Sequence, residues 1–117
     1  MTHPRTVAET YFESWKAHDF ETFCSLLADD VTFRGPLGSA DDAASCTKGI
    51  EGMSKIVTDL VIRHMWVDGP DVLIWFELHT RDAEPIATAN WQHIEDGKVQ
   101  RIVVTFDPRG LLGNAYE

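Results

Sequence analysis

Residues 61–106 read VIRHMWVDGPDVLIWFELHTRDAEPIATANWQHIEDGKVQRIVVTF, and the fold is decided there. Four runs rich in Val, Ile, Trp, Phe and Thr stand at Val61–Val67, Val72–Arg81, Ile86–Ile94 and Val99–Phe106. Such residues suit a pleated surface, where branched and aromatic side chains pack against cross-strand neighbours. Between the runs lie Asp68-Gly69-Pro70-Asp71, Asp82-Ala83-Glu84-Pro85 and Glu95-Asp96-Gly97-Lys98. Each is built from residues that break regular structure and is short enough to reverse the chain, so consecutive runs become antiparallel neighbours. Asp96-Gly97 is the strongest of these signals, because a two-residue hairpin turn needs positive φ at both central positions. The stretch reads as an antiparallel meander of four strands.

Upstream the hydrophobic period changes to that of a helix. Val7, Ala8, Tyr11, Phe12 and Trp15 form a wide apolar stripe. Pro4 suits a first helical turn, or Thr6 with Glu9 forms a capping box and the helix starts later. Asp19 caps a second helix with Phe20, Phe23, Cys24, Leu26 and Leu27 on its inner face, ended by Ala28-Asp29-Asp30. Val31-Thr32-Phe33 is a brief strand halted by Gly35-Pro36-Leu37-Gly38, and Gly35 to Ser45 reads as a loop. Thr47 caps a third helix whose stripe is Ile50, Met53, Ile56, Val57 and Leu60. Grouped helices followed by grouped strands predict an α+β fold.

The chain has 117 residues, the size of one domain, with 44% hydrophobic and 25% charged residues, an ordinary globular composition. Ten Lys and Arg against 19 Asp and Glu give a formal charge of −9, which repels phosphate backbones and anionic lipid heads. Neither nucleic acid nor a membrane is therefore an expected partner. No apolar run reaches the ~20 residues of a membrane span. The segment from Met1 to Arg5 has no apolar secretion signal, so a cytoplasmic location is expected. Cys24 and Cys46 form no CxxC and read as free thiols. The five histidines have neither HxxxH nor HExxH spacing, and no glycine-rich phosphate loop is present, so neither a metal nor a cofactor is expected.

Several local phrases fall in a telling order: Tyr11-Phe12, Leu26-Leu27-Ala28-Asp29-Asp30-Val31, Pro36-Leu37-Gly38, Gly49-Ile50-Glu51-Gly52, Asp96-Gly97-Lys98-Val99 and Phe106-Asp107-Pro108. From about Arg5 to Gly110 the chain resembles the nuclear transport factor 2-like superfamily, in its SnoaL-like and ketosteroid-isomerase-like branch. The resemblance implies a cone-shaped, strongly curved antiparallel sheet wrapped around three N-terminal helices, with a pocket at its open end. It also implies that Tyr11 is a hydrogen-bond donor to a developing enolate. Asn90 falls where relatives carry a second donor, a protonated Asp, and an amide N–H can serve. The relatives' general base precedes the Pro-x-Gly loop. That position is Gly35 here, beside Arg34, and glycine cannot take a proton.

Another base has to come from strand alternation. On the second run Val72, Ile74, Phe76 and Leu78 form one set and Leu73, Trp75, Glu77, His79 and Arg81 the other. In one reading the apolar set faces the core and Glu77 and His79 face solvent. In the other Trp75, Glu77 and His79 line the pocket, and the apolar set packs against a second copy, since relatives dimerise through the outer sheet face. Glu77 and His79 would then lie about 7 Å apart and act as a general acid/base. His64, Trp66 and Gln92 are further pocket candidates. The resemblance places Asp107 at the pocket mouth, and Trp15, Phe33 and Phe106 would supply apolar walls. Two functions are expected: a small SnoaL-like enzyme doing acid/base chemistry on a hydrophobic carbonyl compound, or a binding module with the same cavity and no chemistry. An epoxide hydrolase is the weaker third, because its coupled Asp-Arg-Asp set cannot be assembled from this sequence. A homodimer is expected in each case.

Overall fold

A computed structural model describes residues 3–81 and 83–112; Asp82 of the second turn lies outside them. The elements run α1 (Pro4–Lys16), α2 (Phe20–Ser25), β1 (Leu27–Gly35), β2 (Gly38–Ala40), α3 (Ala43–Met53), β3 (Val57–Asp68), β4 (Asp71–Thr80), β5 (Ile86–Glu95), β6 (Lys98–Thr105) and α4 (Arg109–Leu112). The fold is α+β, with one curved, unclosed six-stranded sheet in the order β2-β1-β6-β5-β4-β3. The four-strand meander is present with its predicted antiparallel pairing. At the last hairpin Glu95 pairs with Lys98 while Asp96 (φ 54°) and Gly97 (φ 73°) take the left-handed conformation that their turn demands.

Differences from expectation lie in the first half. α1 begins at Pro4, with the His3 ring accepting the Arg5 N–H at 3.1 Å, so Thr6 is already inside the helix. α2 has the expected cap, Asp19 accepting from the Thr22 N–H. α3 is capped by Asp42 rather than Thr47. The Asp42 carboxylate accepts the Ser45 N–H at 2.7 Å, while Thr47 spends its hydroxyl on the Ala43 carbonyl. α3 ends at Met53, and its supposed continuation Val57 and Leu60 belongs to β3, where they pair with Thr80 and Leu78. Asp29 and Asp30 do not end a helix but lie exposed in β1, which runs parallel to β6 from Leu27↔Val99 to Arg34↔Val103. This one parallel pairing, and the β1–β2 hairpin closed at Gly35↔Gly38, replace the predicted loop. Tertiary pairing overrides local propensity in both places.

The core forms where α1 lies on the meander. Val7, Ala8, Tyr11, Phe12 and Trp15 are buried against Val72, Ile74, Phe76 and Leu78 of β4. Phe12 meets Phe76 edge-on with centroids 4.9 Å apart. Burial of such side chains is worth about 1.5–3 kcal/mol each, which fixes which face of β4 turns inward. The edge strand β3 carries two register shifts, at Val57/Asp59 and Ile62/His64. Along it α1 is tied at both ends, by the Arg5 guanidinium on the Met65 carbonyl (3.0 Å) and by Lys16 on Asp59 (3.0 Å). Among the described residues no helix is long and apolar enough to cross a membrane.

Candidate functional site

A cavity of about 190 Å³ opens between α1, α3, the β1–β2 hairpin and the inner faces of β4, β5 and β6. Strand alternation supplies its sheet wall. Phe76 and Leu78 come from β4, Thr88 and Asn90 from β5, and Val104 from β6, followed by Phe106. Tyr11 and Trp15 project from α1 one helical turn apart, and Phe33 comes from β1. α3 contributes Ser45, Cys46, Gly49, Ile50 and Met53. Gly35 lines the cavity too, and a Cβ there would meet the Phe33 ring at 3.1 Å.

The polar groups here are few and neutral. The Trp15 indole N–H is spent on the Ser54 hydroxyl (3.0 Å), which in turn donates to the Ile50 carbonyl. Thr88 donates to the Ile86 carbonyl (3.0 Å). Asn90 Oδ1 accepts from Gln92 Nε2 at 3.2 Å, both residues being buried. The Tyr11 hydroxyl is buried, with the Asn90 side chain as its one polar neighbour. Burial lifts its pKa far above the usual phenol value, repulsion from a Cys46 thiolate would add to the rise, and hydrogen bonding by the Asn90 side chain opposes it. The Cys46 thiol is pushed up to about 12, again by burial first and then by Cys24 and Asp42. Tyr11 and Cys46 are therefore protonated at neutral pH. No carboxylate, imidazole, ammonium or guanidinium is among the described residues that line the cavity.

Of the residues singled out from the sequence, the structure brings together Tyr11, Asn90, Trp15, Phe33 and Phe106, with Gln92 directly behind Asn90. Glu77 and His79 are a correction: they lie on the outer face, half-exposed, and not in the cavity. Their predicted mutual contact exists, His79 Nε2 lying 3.1 Å from Glu77 Oε1, and Arg63 binds the other Glu77 oxygen at 3.0 Å. Arg63, then His79, holds the Glu77 carboxyl below its ordinary range. Of the two orientations open from the sequence the first holds, because the apolar set of β4 claims the core. The same alternation puts Trp75, 41% exposed, outside. His64 and Trp66 are outside as well, stacked with centroids 5.2 Å apart. Asp107 follows Phe106 but is exposed and clasped by Arg109 (2.9 and 3.0 Å to Nε), which pulls its pKa down to about 2. The sequence reading missed the α3 wall, the hairpin wall and Thr88. Asp42 followed three residues on by Ser45 was the unused signal for α3, and the shared parity of Thr88 and Asn90 the one for β5. Among the described residues no group of three His, Cys, Asp or Glu is placed to hold a metal ion.

A family model described as SnoaL-like domain matches residues 8–102. Among solved structures, a nuclear transport factor 2-like protein of Cytophaga hutchinsonii superposes with a TM-score of 0.86 at 23% identity, covering 97% of each chain. A Shewanella putrefaciens protein provisionally described as a SnoaL-like polyketide cyclase gives 0.79 at 15% identity, over 96% of this chain and 84% of that one. An LEH-like epoxide hydrolase of M. tuberculosis gives 0.78 at 17% identity, over 93% and 86%. At these identities the likeness is one of fold. A search of curated proteins gives no match.

Proposed function

The chain belongs to the SnoaL-like domain family, and from that premise we propose that it binds a small, flat, largely apolar molecule through an oxygen that accepts hydrogen bonds, without acid/base turnover at neutral pH. The observation that carries this reading is the composition of the cavity: aromatic and aliphatic walls, Tyr11 and Asn90 as buried neutral polar groups, and no ionised side chain among the described residues. Proton abstraction from carbon needs a base whose pKa suits the operating pH. Asp107 adjoins the lining residue Phe106, but with its charge spent on Arg109 and a pKa of about 2 it is a poor proton acceptor. Isomerase, cyclase and hydrolase chemistry on a hydrophobic carbonyl compound is therefore the second reading, favoured by the kinds of protein that share the fold.

One experiment separates the two. The bicyclic ketone 1-indanone is titrated into the protein in D2O, with binding followed by amide NMR and exchange of the ketone's α-hydrogens followed in the same tube. Saturable shifts at the Asn90 side-chain amide and the Trp15 indole, with exchange no faster than in buffer, are expected. Accelerated exchange that Asn90→Leu abolishes would establish the enzyme instead, and absence of saturable binding would remove the reading altogether.

We propose further that a second copy covers the outer sheet face. Trp66, Leu73, Trp75 and Val103 are all more than a third exposed there, an apolar patch of the kind that marks an interface. Arg63 and Arg101 offset two of the four carboxylates of this face, Asp59, Asp71, Glu77 and Glu95, so it is less acidic than the chain as a whole with its −9. Sedimentation at micromolar concentration should show a dimer that Trp66→Glu dissociates; a monomeric wild type would refute it.

A further inference from the structure

Gln92 sits in an unexpected place for an amide. It is fully buried on the inner face of β5, opposite Val72 of β4 and Ile102 of β6, both of them buried and apolar. Its Oε1 is buried without a hydrogen-bond partner. A leucine or methionine would fill the same space and strand no polar atom, so on stability alone the amide is a poor choice. What it does have is one contact, Nε2 donating to Asn90 Oδ1 at 3.2 Å.

That contact decides what Asn90 can offer a ligand. A carboxamide is two-faced: its oxygen accepts, its nitrogen donates twice, and rotation about Cβ–Cγ exchanges them. With Oδ1 held by Gln92, Nδ2 is the branch turned towards the Tyr11 hydroxyl, and its two N–H groups are more than one neighbour can use. The Tyr11 hydroxyl is buried and has the Asn90 side chain as its polar neighbour in the cavity lining. A phenol beside an N–H donor turns its lone pairs toward that donor and keeps its proton for something else. Of the other side-chain N–H and O–H groups in the lining, Trp15 is engaged with Ser54, Thr88 with Ile86 and Ser45 with Asp42, while Ser39 is exposed on the β1–β2 hairpin.

We infer that Gln92 is a positioning residue: by holding Asn90 Oδ1 it fixes Asn90, and through it Tyr11, as donors, so that the cavity selects ligands bearing an accepting oxygen such as a ketone, quinone or lactone over ligands bearing N–H or O–H. This rests on the binding reading above and narrows its ligand class.

The test uses three bicyclic probes of nearly equal shape: 1-indanone, which accepts, indole, which donates, and indane, which does neither. The wild type should bind 1-indanone about fivefold more tightly than indole, the effect of roughly one well-made hydrogen bond. The infrared carbonyl band of bound 1-indanone should lie below its position in an apolar solvent. Gln92→Met keeps the volume and frees the Asn90 amide to turn. In that variant the indanone-to-indole ratio should fall towards one and the carbonyl band should move back up, while indane affinity stays as it was. An unchanged ratio and band in a folded Gln92→Met protein would overturn the role of Gln92 and leave the binding reading intact. Failure of all three probes to bind the wild type would overturn both. If Gln92→Met does not fold, the wild type still decides: the Asn90 side-chain protons should move on adding 1-indanone and not on adding indole, and the reverse result would sink the inference.

Discussion

Strands β4 and β5 carry two collections of polar side chains separated by the thickness of one sheet. On the outer face Glu77 bridges Arg63 and His79, and His93 lies between Asp71 (2.8 Å) and Glu95 (3.1 Å). On the inner face Thr88, Asn90 and Gln92 follow one another at every second residue of β5, buried and uncharged, with Tyr11 nearby. By residue type the outer collection looks like the catalytic one, since it holds the imidazoles and carboxylates. By environment it is a set of half-exposed ion pairs, a kind that contributes little and is screened by salt. The inner collection has weaker groups in a place where water does not compete, and there each unpaired donor has a large effect on what can bind. Burial rather than chemical strength marks the working face.

That contrast can be broken in graded ways. The largest effect belongs to Phe76, which holds the inner face of β4 against Phe12 and Trp15. Phe76→Ala should lower the unfolding free energy by about 3–5 kcal/mol in urea titrations. A loss below about 1 kcal/mol would mean that the α1 contact does not determine the orientation of β4. Next come the inner donors. Asn90→Leu should weaken 1-indanone binding about fivefold, and Tyr11→Phe about threefold, as judged by NMR titration. Because the Tyr11 hydroxyl has only the Asn90 side chain to lose, Tyr11→Phe should cost no more than about 1 kcal/mol in urea titrations.

A smaller effect should appear with pH. Hydrogen bonds to Asp71 and then to Glu95 raise the His93 pKa above its ordinary 6.5. The charged imidazole is favoured in the folded state, so its stabilising effect is complete below pH 6.5 and is lost as pH rises through the raised value. Asp71, lowered chiefly by the same His93 contact, sets the opposite limit, its contribution being lost as pH falls below the ordinary carboxylate range. The difference in thermal midpoint between wild type and His93→Gln should thus be largest near pH 6 and shrink towards pH 9; a difference that grows with pH would contradict the assignment. The smallest effect should come from the residues that look most catalytic. Glu77→Ala and His79→Ala should leave 1-indanone affinity unchanged, and a clear loss in either would collapse the distinction between the faces.

How much of this could be read from the sequence follows the same division. The meander was legible because its turns are local: Asp96-Gly97 states its conformation without help from the rest of the chain. The parity of β4 was legible too, and Glu77 does touch His79. Which parity faces inward is not a property of the strand alone, since it depends on what α1 presents to it. The apolar stripe from Val7 to Trp15 settles that only when the two elements are packed together. Asn90 and Tyr11 were found through the family's order of phrases. Cys46 and Met53 were not, because with Thr47 as the only cap considered α3 starts too late, and it is Asp42 that makes the cap. β2 was invisible for a further reason: three residues of small side chains become a strand only when β1 lies beside them.

The placement of α1 along β3 has a consequence for behaviour in a crowded solution. A sheet that does not close leaves an edge of twelve residues, and such an edge invites a foreign strand to add to it and seed fibres. Two shifts interrupt its register, and the helix is fastened along it by Arg5 on the Met65 carbonyl and Lys16 on Asp59. An incoming strand would find one carbonyl already taken and two places where the ladder cannot continue. The same helix that supplies Tyr11 and Trp15 to the cavity thus guards the chain against aggregation, and weakening its ends would endanger the protein before it impaired the pocket.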